Sequence, residues 1–298
     1  MRVLILAHHY PVASGRYAAA AFAALGHEVI TWGPAHGRDV WGLRLPAGSE
    51  WTPTLGSDPA ALATAAPNLV VVMDSAPDVL DAAQVFNSAP VPVCVWGVDN
   101  HVRDYRRGWF DQYFLAHRGP SLMPWAVDMT HLPCAHDPAA FHASEIPFAE
   151  RSYDVAMIGV MYEQRWAAVN ALKSAGLKVI AGAGLMPDAS GNVYRDARVS
   201  LCLSAAGDVA QRVFETAACG CVLVSDYCAD LDALKPDGAT LRDCGIVLVP
   251  AHEPAAIVDT VRDVLADADS ALLASSAATW AAPHTWQARA SIILDWAE

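Results

Sequence analysis

The sequence predicts an α/β protein built of two doubly wound domains in tandem. Short continuous apolar runs alternate with amphipathic, alanine-rich stretches, as buried parallel strands alternate with helices. The alternation halts in a proline-rich stretch from Pro120 to Pro147 and then resumes. The 298 residues suit two domains of roughly 100–200 residues each.

The first strand is VLIL (3–6). The loop HHYPVASG follows, punctuated by Pro11 and Gly15. RYAAAAFAALG reads as a helix stopped by Gly26, since glycine takes the left-handed C-cap conformation without strain. HEVITW (27–32) is the second strand and completes a β-loop-α-β unit. A helix over DPAALATAA, a strand NLVVVMD (68–74) and a helix over APDVLDAAQVFN come next. Strands VPVCVWGVD (91–99) and QYFLAH (112–117) follow, and the proline-rich stretch, with little periodicity, reads as the interdomain segment.

The second series opens with YDVAMIGV (153–160), a strand ending at Gly159, and a helix over QRWAAVNALKSAG with Gly176 as its stop. Strands LKVIAGAG (177–184) and VSLCLSAA (199–206), a short helix VFETAACG, and strands CVLVSD (221–226) and IVLVP (246–250) continue it. EPAAIVDTVRDVLADA is a helix whose acidic Glu253 suits the positive end of the dipole. HTWQARASIILDWAE (284–298) closes the chain as an amphipathic helix. The expected domains are 1–145 and 146–282, facing across a cleft, with 283–298 as a helix crossing back to the first.

Composition narrows the function classes. Hydrophobic residues make up 54% and charged residues 17%, enough apolar mass for two cores. The net charge of −13 repels nucleic acid and anionic membranes on average. Seven scattered cysteines, an odd number, read as reduced thiols in a cytoplasmic protein. The opening apolar run, Val3 to Ala7, is too short for a signal peptide, and no run is long enough to span a membrane.

In open α/β sheets ligands bind beyond the carboxyl ends of the strands. That rule selects His8, His9, Asp74, Asp99 and His101 in the first domain. In the second it selects Gly159, Arg165, Ser204, Asp208, Arg212 and Glu215. Arg212 and Glu215 lie at the start of the VFETAACG helix. A helix N-terminus attracts phosphate, Arg212 can add a charge-assisted bond to a diphosphate, and Glu215 can accept from the vicinal hydroxyls of a ribose. A helix-start carboxylate with an arginine as its surface partner explains the same spacing.

RVFETAACGCVLVSD resembles the R-x-F-E-x-x-A-x-G block of GT-B glycosyltransferases, especially the CgeB-like group related to family four. MRVLIL…ALGHEV resembles the opening of that fold, and LPCAHDPAAFH (132–142) the connector into its second domain. DVAMIGVMYEQRWAAVNAL (154–172) resembles the donor-domain entry, and HTWQARASIIL (284–294) the closing helix. The resemblance implies two Rossmann-like domains, with Glu215 on the donor ribose. It also implies Arg212, Arg165 and backbone near Gly159 at the diphosphate, and Gly15 giving backbone access in the first domain; Ser204 and Asp208 join the donor-binding candidates by their place after a strand. The chain departs from family four at Gly207, where a second acidic residue is usual, and offers only Lys173 after Arg165.

The resemblance implies a catalytic side chain from the first domain. Asp99 and His101 close the strand VPVCVWGVDNH; a carboxylate or imidazole there can take the acceptor's proton or stabilise positive charge on the sugar. A strand-ending Asx turn explains the same residues. His8 and His9 are further candidates, one of them as a packing histidine. His131, Cys134 and His136 are close in sequence, but Pro133 breaks their geometry and a structural zinc needs four ligands, so no metal is expected. Cys219 and Cys221 read as small buried residues, and Trp280, Trp286 and Trp296 as packing residues. Arg103, Arg106 and Arg107, with Tyr105 and Trp109, can grip a nucleic acid, but in so acidic a chain a solvated loop or a small-acceptor contact is favoured.

The expected activity is transfer of a sugar, retaining and without a required cofactor, from a nucleotide-diphosphate-sugar to a hydroxyl. A UDP-sugar is the expected donor. A saccharide or small molecule is favoured as acceptor, with a hydroxymethylated DNA base as the minority option. A non-catalytic nucleotide-sugar binding module and a nucleotide-sugar epimerase are the alternatives on this architecture.

Overall fold

The chain enters through β1 (Arg2–Leu6), whose residues Val3 to Leu6 are fully buried because both faces of the strand are covered. The computed structural model describes residues 1–40, 42–105, 109–118, 129–250 and 253–298. They form two compact units, Met1–Cys134 with Trp286–Glu298, and Ala135–Thr285.

In the first unit β1 leads through α1 (Ser14–Ala24) to β2 (Glu28–Trp32). A two-stranded ribbon, β3 (Asp39–Val40) and β4 (Leu43–Arg44), precedes β5 (Leu69–Val72), α2 (Pro77–Ala83), β6 (Val93–Gly97), β7 (Gln112–Leu115) and β8 (Met129–His131). The main sheet is parallel, in the order β2-β1-β5-β6-β7-β8. β2 lies on one side of β1 and β5 on the other, so the winding reverses between β1 and β5 and the loops at their carboxyl ends diverge. Leu4, Leu6, Val70, Val72, Val95 and Tyr105 are part of the core on one face.

The second unit carries β9 (Tyr153–Ile158), α3 (Glu163–Ser174), β10 (Val179–Gly182), α4 (Pro187–Arg195), β11 (Ala197–Cys202), α5 (Gln211–Ala218) and β12 (Val222–Ser225). α6 (Ala229–Asp232), β13 (Ile246–Leu248), α7 (Pro254–Ala266) and α8 (Ser270–Ala281) complete it. Its sheet is parallel, in the order β10-β9-β11-β12-β13, and its winding reverses between β9 and β11. α9 (Trp286–Ala297) returns to the first unit and packs along α1. Trp286 anchors it, 1% exposed, with ring centroids 5.6 Å from Tyr17 and 5.1 Å from Trp96.

Some elements differ from the sequence reading. DPAALATAA forms a 3-10 helix over Pro59–Thr64, started by the Asp58 side chain accepting from Ala60 N–H. The proline-rich stretch contains β8, which supplies the last strand of the first sheet. α4 and α8 have no counterpart in the predicted elements. α4 holds despite Pro187 and Gly191: the proline occupies the first turn, where its missing N–H costs nothing. At Gly191 a Cβ would come within 2.1 Å of Ala140 O, so the bare glycine lets the helix lie against that backbone.

Candidate functional site

The second unit's candidate site lies at its winding reversal. Ile158 ends β9, and Gly159 turns the chain with φ +140°, a conformation that a side chain would strain. The Ile158 carbonyl accepts from Arg212 Nη1 at 3.0 Å and from the buried Tyr194 Oη at 3.2 Å. The Arg212 guanidinium lies against Gly159, where a Cβ would come within 2.7 Å of Nη1. Arg212 belongs to the first turn of α5, whose N-terminus carries no side-chain cap. The amides of that turn, the glycine bend and the guanidinium make a positive patch suited to an anion.

Glu215 stands one turn further along α5. Its surface is partly exposed, while its carboxyl is enclosed by the surrounding protein. Burial raises its carboxyl to about 7; the Gln211 hydrogen bond and the Arg212 charge oppose the rise, and Asp137 adds to it. Gln211 Nε2 donates to Glu215 Oε1 at 2.6 Å.

The other predicted residues of this unit shape the frame. Arg165 is buried, with Nε and Nη2 donating to Leu203 O at 3.0 and 2.6 Å and Nη1 to Val160 O at 2.7 Å. Burial and the neighbouring Arg212 charge lower its pKa to about 10, so it is a cation at neutral pH. It ties the loop after β9 to the end of β11. Ser204 and Asp208 close the loop into α5 on itself: the Ser204 hydroxyl donates to Asp208 Oδ1 and accepts from Gly207 N–H, and Asp208 Oδ1 accepts from the amides of Ala205 and Ala206. The structure therefore gathers Gly159, Arg212 and Glu215, with Arg165, Ser204 and Asp208 holding the loops behind them.

The first unit has a pocket at the carboxyl ends of β1, β5 and β6. His8, Tyr10, Gly15, Asp74, Asp99 and Tyr105 are among its lining. His8 Nε2 meets Asp78 Oδ1 at 3.1 Å, and His8 Nδ1 meets His36 Nε2 at 2.9 Å. Asp74 Oδ1 accepts from Ala76 N–H, and Asp99 pairs with Arg103 at 3.5 Å. His101 turns elsewhere, edge-on to His117 at 4.5 Å, and does not line the pocket. His9 is fully buried and stacked on Trp51 at 3.8 Å; burial drives its pKa down to about 4, so it is a neutral packing group. Gly15 is buried as well, and a Cβ there would meet Ala7 Cβ at 3.0 Å and the Trp51 ring at 3.1 Å. Tyr105 is buried and Trp109 is 60% exposed, while Arg106 and Arg107 lie outside the described residues.

His131 bonds Ala116 O through Nε2, Cys134 is buried, and the His136 amide bonds His284 O. Among the described residues no group of His, Cys, Asp and Glu is placed to hold a metal. Cys219 and Cys221 are both buried. Trp280 donates to Leu234 O and stacks on Phe214, and Trp296 packs edge-on against Phe114. No helix among the described residues is long and apolar enough to cross a membrane. Tyr194 and Gln211 join the site without being among the residues that the strand-end rule selects. Gln211 carried a signal in its position four residues before Glu215 on a helix. Tyr194 carried none, because α4 itself was not legible.

Residues 144–295 match the family described as glycosyl transferase-like. No curated protein sequence matches the chain. Among solved structures the chain is similar to sucrose-phosphate synthase from Thermosynechococcus elongatus, at 14% identity and TM-score 0.67, covering 99% of this chain and 97% of that one. It is similar to Anabaena HepE in complex with UDP-glucose, at 12% identity and TM-score 0.65, covering 99% and 100%. It is also similar to a Listeria monocytogenes protein described as a putative UDP-N-acetylglucosamine 2-epimerase, at 10% identity and TM-score 0.55, covering 99% and 94%. At such identities the likeness is one of fold: two Rossmann-like α/β domains, the GT-B architecture.

Proposed function

Because this chain belongs to the glycosyl transferase-like family, we propose that it moves a hexosyl or related sugar from a UDP-sugar to a hydroxyl acceptor. The observation that carries the reading is the convergence of Arg212 on the Gly159 bend, with Glu215 on the next turn of the same helix. Arg212 and the first-turn amides of α5 hold the diphosphate, and Glu215 accepts from the ribose hydroxyls. Arg165 supports the loop that Arg212 rests on. The choice of UDP follows the UDP-glucose in the similar HepE structure.

As the glycosidic bond to the leaving diphosphate breaks, negative charge grows on its oxygen. Preorganised donors there contribute the electrostatic stabilisation that usually dominates such chemistry. Arg212 and the amides supply it without a metal. The resemblance to CgeB-like and family-four enzymes supports retention of the anomeric configuration. Asp99, open to the first unit's pocket, is the candidate for the group that meets the acceptor or the sugar; His101, turned toward His117, is a weaker one. A saccharide or small-molecule acceptor suits the acidic chain better than DNA does.

The test is incubation with UDP-sugars and a panel of hydroxyl acceptors, read by mass spectrometry. A glycosylated acceptor with release of UDP supports the reading. An altered UDP-sugar formed without acceptor points to an epimerase, the activity named for the similar Listeria protein. Binding without turnover on any acceptor points to a non-catalytic module.

A further inference from the structure

Gln211 and Glu215 rise from α5 four residues apart, and the Gln211 carboxamide donates to one carboxylate oxygen of Glu215 at 2.6 Å. We propose that Gln211 is a positioning residue of the donor site: its hydrogen bond to Oε1 fixes the orientation of the Glu215 carboxylate, whose remaining lone pairs then face the ribose. The same bond favours the ionised form. The inference rests on the reading of Glu215 as the ribose acceptor.

An ionised carboxylate accepts at both oxygens, whereas a protonated one turns one oxygen into a donor. A ribose diol brings two donors, so it is best met by the ionised form. The surroundings of Glu215 oppose that form. Asp137, in the segment ahead of β9, adds like charge, and the densely packed protein withholds water. Tyr194 of α4 and Cys219 at the end of α5 also face it, and burial keeps both neutral. Arg212 on α5 favours the charge, but its Nη1 is engaged by Ile158 O. Gln211 supplies the direct hydrogen bond, and the helix fixes its reach.

The experiment titrates UDP calorimetrically into the full-length wild type and into Gln211→Met, Gln211→Ala and Gln211→Glu proteins across a pH series. Gln211 is half-buried in the first turn of α5, so the substitutions leave the core intact. Well above pH 7, where Glu215 is ionised with or without help, affinity in Gln211→Met and Gln211→Ala falls by about threefold or less. At about pH 6 it falls roughly tenfold further, because loss of a hydrogen bond to a charged group displaces the binding midpoint upward by about one pH unit. Gln211→Glu, which replaces the donor by a like charge, moves the midpoint furthest.

Wild-type and variant profiles that run parallel in pH overturn the inference while leaving the donor site in place. A wild type that binds UDP at no pH overturns the donor reading and the inference together.

Discussion

Arg212 Nη1 donates to the Ile158 carbonyl at 3.0 Å and lies so close over Gly159 that a Cβ there would come within 2.7 Å of it. The glycine and the arginine are therefore one device: the bare backbone makes room for the cation, and the cation fastens the bend. Gly159→Ala meets both the guanidinium and the strain of φ +140°. It is expected to destabilise the second unit by about 1–3 kcal/mol and to weaken UDP binding. In a double-mutant cycle with Arg212→Ala the two losses of affinity are expected to be strongly non-additive. Simple additivity would separate the residues.

Glu215 gives the second unit a pH signature. Its folded pKa of about 7 lies above the ordinary 4.5. Between those values the folded protein holds a proton that the unfolded chain has released, so stability is fully present below pH 4.5 and falls as pH rises toward 7. Glu215→Gln is expected to flatten this fall and to leave the protein more stable than wild type above pH 7. Urea unfolding at both ends of the window checks the sign.

Trp286 ties α9 into the first unit between Tyr17 and Trp96. Trp286→Ala empties a buried aromatic site and is expected to cost about 3–5 kcal/mol. Thermal unfolding of the variant should show the loss in the first unit's transition, with UDP binding by the second unit less affected.

Asp99 and His101 are two residues apart, yet Asp99 opens onto the pocket and His101 onto His117. Asp99→Asn is expected to lower turnover with donor affinity unchanged. His101→Asn is expected to change turnover by no more than a few-fold, and steady-state kinetics on any active donor and acceptor pair distinguish the two.

The strands were legible because strands buried on both faces are written as unbroken Val, Leu and Ile runs; VLIL and CVLVS needed nothing else. α4 was not, because Pro187 and Gly191 mark a turn by every local rule, and only the approach to Ala140 O explains the glycine. α8, SALLASSAATWA, lacks a strongly polar face to contrast with its apolar one. At the site, Arg212 and Glu215 were visible through their spacing ahead of CVLVS. The commitment of Arg165 to Leu203 O and Val160 O, and the partition of Asp99 from His101, depend on loop paths that no periodicity encodes.

The most direct test of the donor site is a calorimetric titration of UDP into wild type, Arg212→Ala and Glu215→Ala, with folding verified for each. The site described here predicts saturable binding by the wild type and a loss of about tenfold or more in each variant, the size expected for removing a hydrogen bond to a charged group. Wild-type affinity in both folded variants would contradict it, and would leave Arg212 and Glu215 as the fastening of a bend and a half-buried helix carboxylate.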